Sequence, residues 1–373
     1  MAIWRIREIY GCMSVNVIDA LHYLVMKSVL LSLALAAVAA AESRTSAPNG
    51  CLNVAKSGGD FSTIQAAVNS LSTSNAKDQC IFINPGTYKE QVLVSSRAAR
   101  LTIYGYTSDT ASYAKNQVTI TSSLSQKDGL SNDETATLRV KADNFRLYNV
   151  NVENGYGEGS QAVALSAYAD SGYYACQFTG FQDTVLSNVG SQLFAKSMIL
   201  GATDFVFGQE ATSWFEACDI RVVEKSLGYI TGRFYLVVPD DYEYVANVEM
   251  TANGREDDSS PSFYVFNNCN VAAASGHNVP NGAYYLGRPW REYARVVFQN
   301  TALSAVINPD GWRIWNSGDP RTDGVLFGEY ANSGEGASTN RADFATILNS
   351  PVAITTILGS GYASAGYYDA SYM

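Results

Sequence analysis

The stretch Ala-Cys-Gln-Phe-Thr-Gly-Phe-Gln-Asp-Thr-Val-Leu-Ser, Ala175 to Ser187, is echoed 21 residues later by Lys-Ser-Met-Ile-Leu-Gly-Ala-Thr-Asp-Phe-Val-Phe-Gly, Lys196 to Gly208. Each copy opens with a short apolar run, turns, and places an aspartate seven residues after the aligned Cys176 or Ser197. The opening recurs at Asn149 to Val152, Ala217 to Ile220, Asn268 to Val271 and Asn300 to Leu303. With Val150, Cys176, Ser197, Cys218, Cys269 and Thr301 aligned, the spacings are 26, 21, 21, 51 and 32 residues. An irregular repeat of this length predicts a parallel β-solenoid with one unit per coil. Equivalent positions then stack at the inter-strand distance of roughly 4.8 Å. Asp183 and Asp204 become neighbouring carboxylates, and two charges that close do not both ionise easily. Chance coincidence of offsets is the competing reading. Against it, each aspartate is embedded among apolar residues: Phe181, Val185 and Leu186 around the first, Phe205, Val206 and Phe207 around the second. A carboxylate in such surroundings is costly without a partner, which marks the pair as a candidate site.

The composition agrees with an extracellular all-β protein, since only 16% of the 373 residues are charged while Tyr (24) and Gly (30) are abundant. Lys27 followed by the apolar, small-residue run Ser28 to Ala41 reads as a secretory signal peptide, residues 26–41, cleaved after Ala39 or Ala41. The run is too short to span a bilayer. Met26 stands directly before it, so residues 1–25, with Cys12 and one of the two histidines, read as a misannotated extension. The rest, 42–373, reads as one monomeric domain because no Pro/Ser linker interrupts the repeats.

Secretion makes disulfides available. Cys218 and Cys269 share the aligned position on consecutive coils and are expected to bond across the stack. Cys51 and Cys80 flank the first helical segment and form the second expected pair, leaving Cys176 buried and free. No Asn-X-Ser/Thr sequon occurs, so N-glycosylation is not expected. The formal charge is -10, and an acidic surface argues against nucleic-acid and anionic-membrane partners.

Asp60, followed by Ile64, Ala67, Val68 and Leu71 at helical spacing, predicts an N-capped amphipathic helix over Phe61 to Leu71 that covers the open end of the solenoid. One segment does not fit the repeat. Thr231 to Met250 carries four acidic residues against one arginine and accounts for the spacing of 51. It reads equally as a surface-loop insertion or as a retained intron.

These motifs resemble pectin methylesterases, and the fungal branch in particular. The resemblance runs from Val54-Ala55-Lys56-Ser57-Gly58-Gly59-Asp60-Phe61 to Gly328-Glu329-Tyr330. Its specific elements are Gly86-Thr87-Tyr88-Lys89-Glu90, Gln161-Ala162-Val163-Ala164-Leu165, Gly180-Phe181-Gln182-Asp183-Thr184 and Asp204-Phe205-Val206-Phe207-Gly208. Leu286-Gly287-Arg288-Pro289-Trp290 and Gly311-Trp312-Arg313-Ile314-Trp315 complete them in family order. The resemblance implies a right-handed parallel β-helix acting on pectin, the methyl-esterified homogalacturonan, without a cofactor or metal. It implies Asp204 as nucleophile, Asp183 as general acid and then base, Gln182 and Gln161 as the oxyanion hole, Arg288 as the partner of Asp204, and Trp290 as a sugar-stacking wall.

The chemistry of the residues fits those roles. A carboxylate nucleophile needs an opposite charge to stay ionised, whereas its neighbour in an apolar wall keeps its proton. Carboxamides donate to an oxyanion without competing as bases. Because alternate strand residues face opposite sides, Gln182 or Asp183 has to lie at a bend for both to reach substrate. Some of these residues have structural readings too: Gln161 as a ladder residue, Trp312 and Trp315 as core, Glu90 as a turn partner, Arg288 as a surface ion pair. A Ser-His-Asp or zinc site is poorly supplied, since His277 is the only histidine after the signal. A glycosidase or lyase on the same scaffold is the serious rival, because retaining hydrolysis also uses carboxylates roughly 5 Å apart. A catalytically silent pectin-binding solenoid is the third reading.

Overall fold

Short β-branched and aromatic runs separated by single-residue bends close the chain into coils. The computed structural model describes residues 42–225, 248–338 and 340–373. The expected extension and signal peptide, and most of the irregular segment 231–250, lie outside the described residues. Ser43–Met373 forms one compact unit.

Three parallel sheets of eleven, eight and seven strands run the length of a right-handed β-helix. The eleven-stranded sheet extends from Leu52–Val54 to Ala345–Ile347, the eight-stranded from Gly86–Lys89 to Ala302–Leu303, and the seven-stranded from Val92–Val94 to Arg288–Pro289. The repeat alignment is the observed register. Gln177 pairs with Asn151 and Met198, Asp219 with Met198 and Asn270, and Asn270 with Ala302. Just before each aligned position the backbone turns left-handed, with φ of 54° at Asn149, 49° at Ala175, 50° at Lys196, 50° at Ala217, 54° at Asn268 and 50° at Asn300. This bend carries the chain from the eleven- to the eight-stranded sheet. Asn accepts it readily, whereas Ala and Lys adopt it at a cost of about 1–2 kcal/mol each.

Register turns like residues into ladders inside the coil. Tyr173, Phe194, Phe215, Phe266 and Phe298 stack with successive ring centroids 4.7, 4.7, 4.3 and 4.4 Å apart. The cysteines form a second ladder, and here one expectation fails. Cys51–Cys80 is bonded, but Cys218 and Cys269 are free, buried thiols, as is Cys176. Equivalent positions on parallel strands send their side chains the same way. Cys176, Cys218 and Cys269 accordingly each donate to a carbonyl of the coil below, at Leu147, Phe194 and Phe215. Burial also pushes the Cys176 thiol up to about 12 and Cys269 well above its usual range, away from the thiolate that oxidation requires.

The N-terminal helix spans Ile64–Ser70 and buries Ile64, Ala67 and Val68 against the first coil. Its cap is Thr63, whose Oγ1 accepts from the Ala66 amide, and not Asp60, which accepts from the Asn53 amide. Glu90 supplies the acid at this helix end by accepting from the amides of Ile64 and Gln65 at 2.8 and 2.9 Å. Glu90 is thus a structural partner, as read from the sequence, but at a helix N-terminus and not at a turn. The C-terminal tail lays Ile357, Leu358, Tyr367 and Tyr372 over the outer face of the eleven-stranded sheet at Tyr148, Tyr174, Leu193 and Trp214.

Candidate active site

The seven-stranded sheet is entered on each coil through a second bend, and the residue at that bend is the chemical one. Val185, Val206 and Thr251 are mutual register partners, so the positions two residues earlier also stack: Asp183, Asp204 and Glu249. The Asp183 amide donates to Thr203 O at 3.1 Å and the Asp204 amide to Glu249 O at 2.8 Å. Asp183 and Asp204 both have left-handed backbones, with φ of 65° and 47°. Asp183 is thus the bend residue that the adjacency of Gln182 requires. Gln182 itself is bridged to Thr203 above, and Gln161 lies one coil below, where the Ala162 amide donates to Gln182 O. Both glutamine side chains are half-buried.

Arg288 closes the column from the last strand of this sheet. Its Nε and Nη2 donate to Asp204 Oδ1 and Oδ2 at 3.1 and 2.6 Å, a bidentate fork. Gly287 lets that strand approach, because a Cβ there would lie 2.1 Å from Thr251 Oγ1. The guanidinium rests over the Trp315 ring at 4.3 Å, and Arg321 lies 4.8 Å from the same ring. Trp315 therefore belongs to the site. Trp312 is core: buried, stacked on Phe327 at 4.4 Å, with Nε1 donating to Glu329. Trp290 lies against Phe207 on the outer face of the sheet, packed with a cluster that includes Leu186 and Ala252, and stays partly accessible.

The environments of the two aspartates differ. Both are 7% exposed. Burial, reinforced by the charge of Asp204 and opposed by Arg288, holds the Asp183 carboxyl well above the usual carboxylate range. Asp204 carries the arginine fork. Burial works against the charge on Arg288, yet Asp204 and Glu249 outweigh it and the guanidinium stays charged. A carboxyl held toward its neutral form beside an arginine-held carboxylate is the arrangement in which adjacent groups can serve as proton donor and nucleophile.

Two residues near the site, Glu249 and Lys225, were not anticipated as functional. Glu249 falls within the segment set aside as irregular; it is buried, ion-paired to Arg313 at 2.8 Å, and 3.8 Å from Arg288. Lys225, half-buried, donates to Thr203 Oγ1 at 3.0 Å. Trp315 had been left open between core and site. Its signal was the Arg-rich stretch around it, which supplies cations for its ring.

Comparison with known proteins identifies the family. The pectinesterase family model matches residues 52–348. A pectinesterase of Aspergillus aculeatus is 49% identical over 93% of this chain and 99% of its own, and one of Aspergillus niger is 46% identical over the same shares. Among solved structures, the deglycosylated pectin methylesterase from Aspergillus niger superposes with a TM-score of 0.78 at 43% identity, covering 89% of this chain and all of its own. Pectin methylesterase from carrot gives 0.74 at 26% identity, covering 88% and 98%. The fold, the arginine-held carboxylate column and these likenesses over most of the chain lead to one assignment: the chain belongs to the pectinesterase family.

Proposed function

We propose that this enzyme, a pectinesterase that removes methyl esters from pectin, works through Asp204 as nucleophile and Asp183 as acid–base partner. Asp204 Oδ attacks the C6 ester carbonyl, and the carbonyl oxygen gathers negative charge that the carboxamides of Gln182 and Gln161 receive. As the tetrahedral centre collapses, the bond to the methoxy oxygen breaks, and methanol leaves with the proton held by Asp183. An acyl-enzyme anhydride remains on Asp204. Water then gives one proton to Asp183 as its oxygen attacks the acyl carbon, regenerating Asp204 and protonated Asp183 and freeing the polymer's C6 carboxylic acid, whose remaining proton passes to solvent. Trp290, partly exposed beyond Arg288, offers a ring face for a sugar. The observation that carries the reading is the bidentate Arg288–Asp204 pair directly above the neutral-leaning Asp183.

The apolar run before residue 42 and the Cys51–Cys80 disulfide support secretion into an oxidising space where pectin is met. Incubation with highly methylated homogalacturonan tests the reaction. Methanol with unchanged chain length is expected. New reducing or unsaturated ends would instead establish a glycosidase or lyase, and binding without product a silent pectin-binding solenoid.

A further inference from the structure

The carboxylate column does not stop at the two aspartates. Glu249 occupies the next rung, with its carbonyl accepting from the Asp204 amide and its own strand, Val248–Glu249, paired to Tyr284–Tyr285. Its side chain is 3% exposed, and Oε2 lies 3.8 Å from Nε of Arg288, the nitrogen that also donates to Asp204 Oδ1. On the far side Oε1 accepts from Arg313 Nη1 at 2.8 Å. Two carboxylates thus share one guanidinium, and a second arginine fixes the outer one. The groups facing Glu249 are Arg288 and Asp204, Arg313, Lys225, and the phenols of Tyr284 and Tyr285.

We infer that Glu249 is a positioning residue of this reaction: backed by Arg313, it aligns Arg288 on Asp204 and adds a charge that sets the acid limit of activity. A guanidinium held from two sides keeps its fork in the plane of the nucleophile, whereas one held only by Asp204 is free to follow that carboxylate when it attacks. The added charge acts in the opposite sense. A carboxylate beside Asp204 disfavours a further negative charge in the column, so more protons remain bound there as pH falls. Glu249 itself is shifted upward, first by burial and then by Asp204, with Arg288 and Arg313 pulling it down.

This inference rests on Asp204 being the nucleophile, and the two fail separately: an active Asp204→Asn enzyme removes the mechanism, whereas the tests below address Glu249 in an enzyme whose Asp204 is intact. Rates of methanol release are measured against pH for Glu249→Gln and Glu249→Asp, with circular dichroism as the folding control. For Glu249→Gln the acid limb of kcat/KM should move down by about one pH unit, the scale on which a neighbouring charge acts, while kcat at the plateau falls several-fold. The basic limb belongs to Asp183, which faces Asp204 and Arg288, and should move less. Glu249→Asp should restore the wild-type limb. Glu249→Tyr gives the same readout should the glutamine variant not fold. An unmoved acid limb in the neutral variants, or an aspartate variant that behaves like them, overturns the inference whatever happens to kcat.

Discussion

Asp183 and Asp204 are stacked on successive coils with the same left-handed backbone, φ 65° and 47°. Such a conformation strains most side chains, but Asp and Asn tolerate it. Asp204→Asn should therefore keep the fold while methanol release falls by at least about 10³-fold, because a carboxamide is a poor nucleophile. Asp204→Ala should lose activity equally and destabilise further, by about 1 kcal/mol of backbone strain. Near-normal turnover in the asparagine variant would remove Asp204 from the mechanism.

The raised carboxyl of Asp183 makes a stability prediction as well as a kinetic one. Its folded value lies above its unfolded one, so the stability of the neutral form is complete below the ordinary Asp range and drains away as pH rises through the shifted value. Asp183→Asn carries no such penalty. Its melting temperature should exceed that of the wild type at neutral pH, with the gap closing on acidification, while turnover is severely impaired. A gap that is constant with pH would mean that Asp183 titrates normally.

Replacing Arg288 by lysine keeps the charge and loses the fork at 3.1 and 2.6 Å as well as the guanidinium stacking on Trp315. Turnover should drop by about 10²-fold with a smaller change in KM. Retention of the wild-type rate and pH profile would reduce Arg288 to an ordinary ion pair.

Cys51 and Cys80 sit at the same register as Leu52 and Ile81 and close a loop with a sequence separation of 29. Their loss by Cys51→Ser should cost about 3.6 kcal/mol on the chain-entropy estimate, read as a lower denaturation midpoint. Denatured without reductant, the chain from residue 42 onward should titrate three thiols, Cys176, Cys218 and Cys269. One thiol would restore the second disulfide.

Much of this was legible because a solenoid converts linear spacing into contact. The alignment of Cys176, Ser197, Cys218 and Cys269 is the observed register, and it brought Asp183 to Asp204 without any appeal to three dimensions. The same logic failed for Cys218 and Cys269, since stacking gives proximity but says nothing of whether side chains converge. Asp60 was misplaced as the helix cap because Thr63, three residues on, offers an equally good hydroxyl nearer the first helical residue. Glu249 was hidden by its place at the end of an out-of-period segment, where spacing carries no register. Only its pairing with Tyr285 and Asp204 reveals the rung.

That placement makes the retained-intron reading of residues 231–250 testable. Val248, Glu249 and Met250 stand within the β-helix, with Met250 fully buried and its amide donating to Tyr285 O. Deletion joins Ile230 to Thr251 and offers Gly228-Tyr229-Ile230 to the same three rungs, so an isoleucine replaces the buried methionine at similar volume. The Cys218 to Cys269 spacing falls to 31, beside a neighbour of 32, and the apolar run Phe234-Tyr235-Leu236-Val237-Val238, an aggregation hazard, is removed. The shortened chain should fold, release methanol, and be more soluble or more heat-resistant. Because Tyr229 would stand where Glu249 stood, its acid limb should match that of Glu249→Gln and not that of the full chain. Failure to fold, or loss of methanol release, would make the segment an integral part of the enzyme.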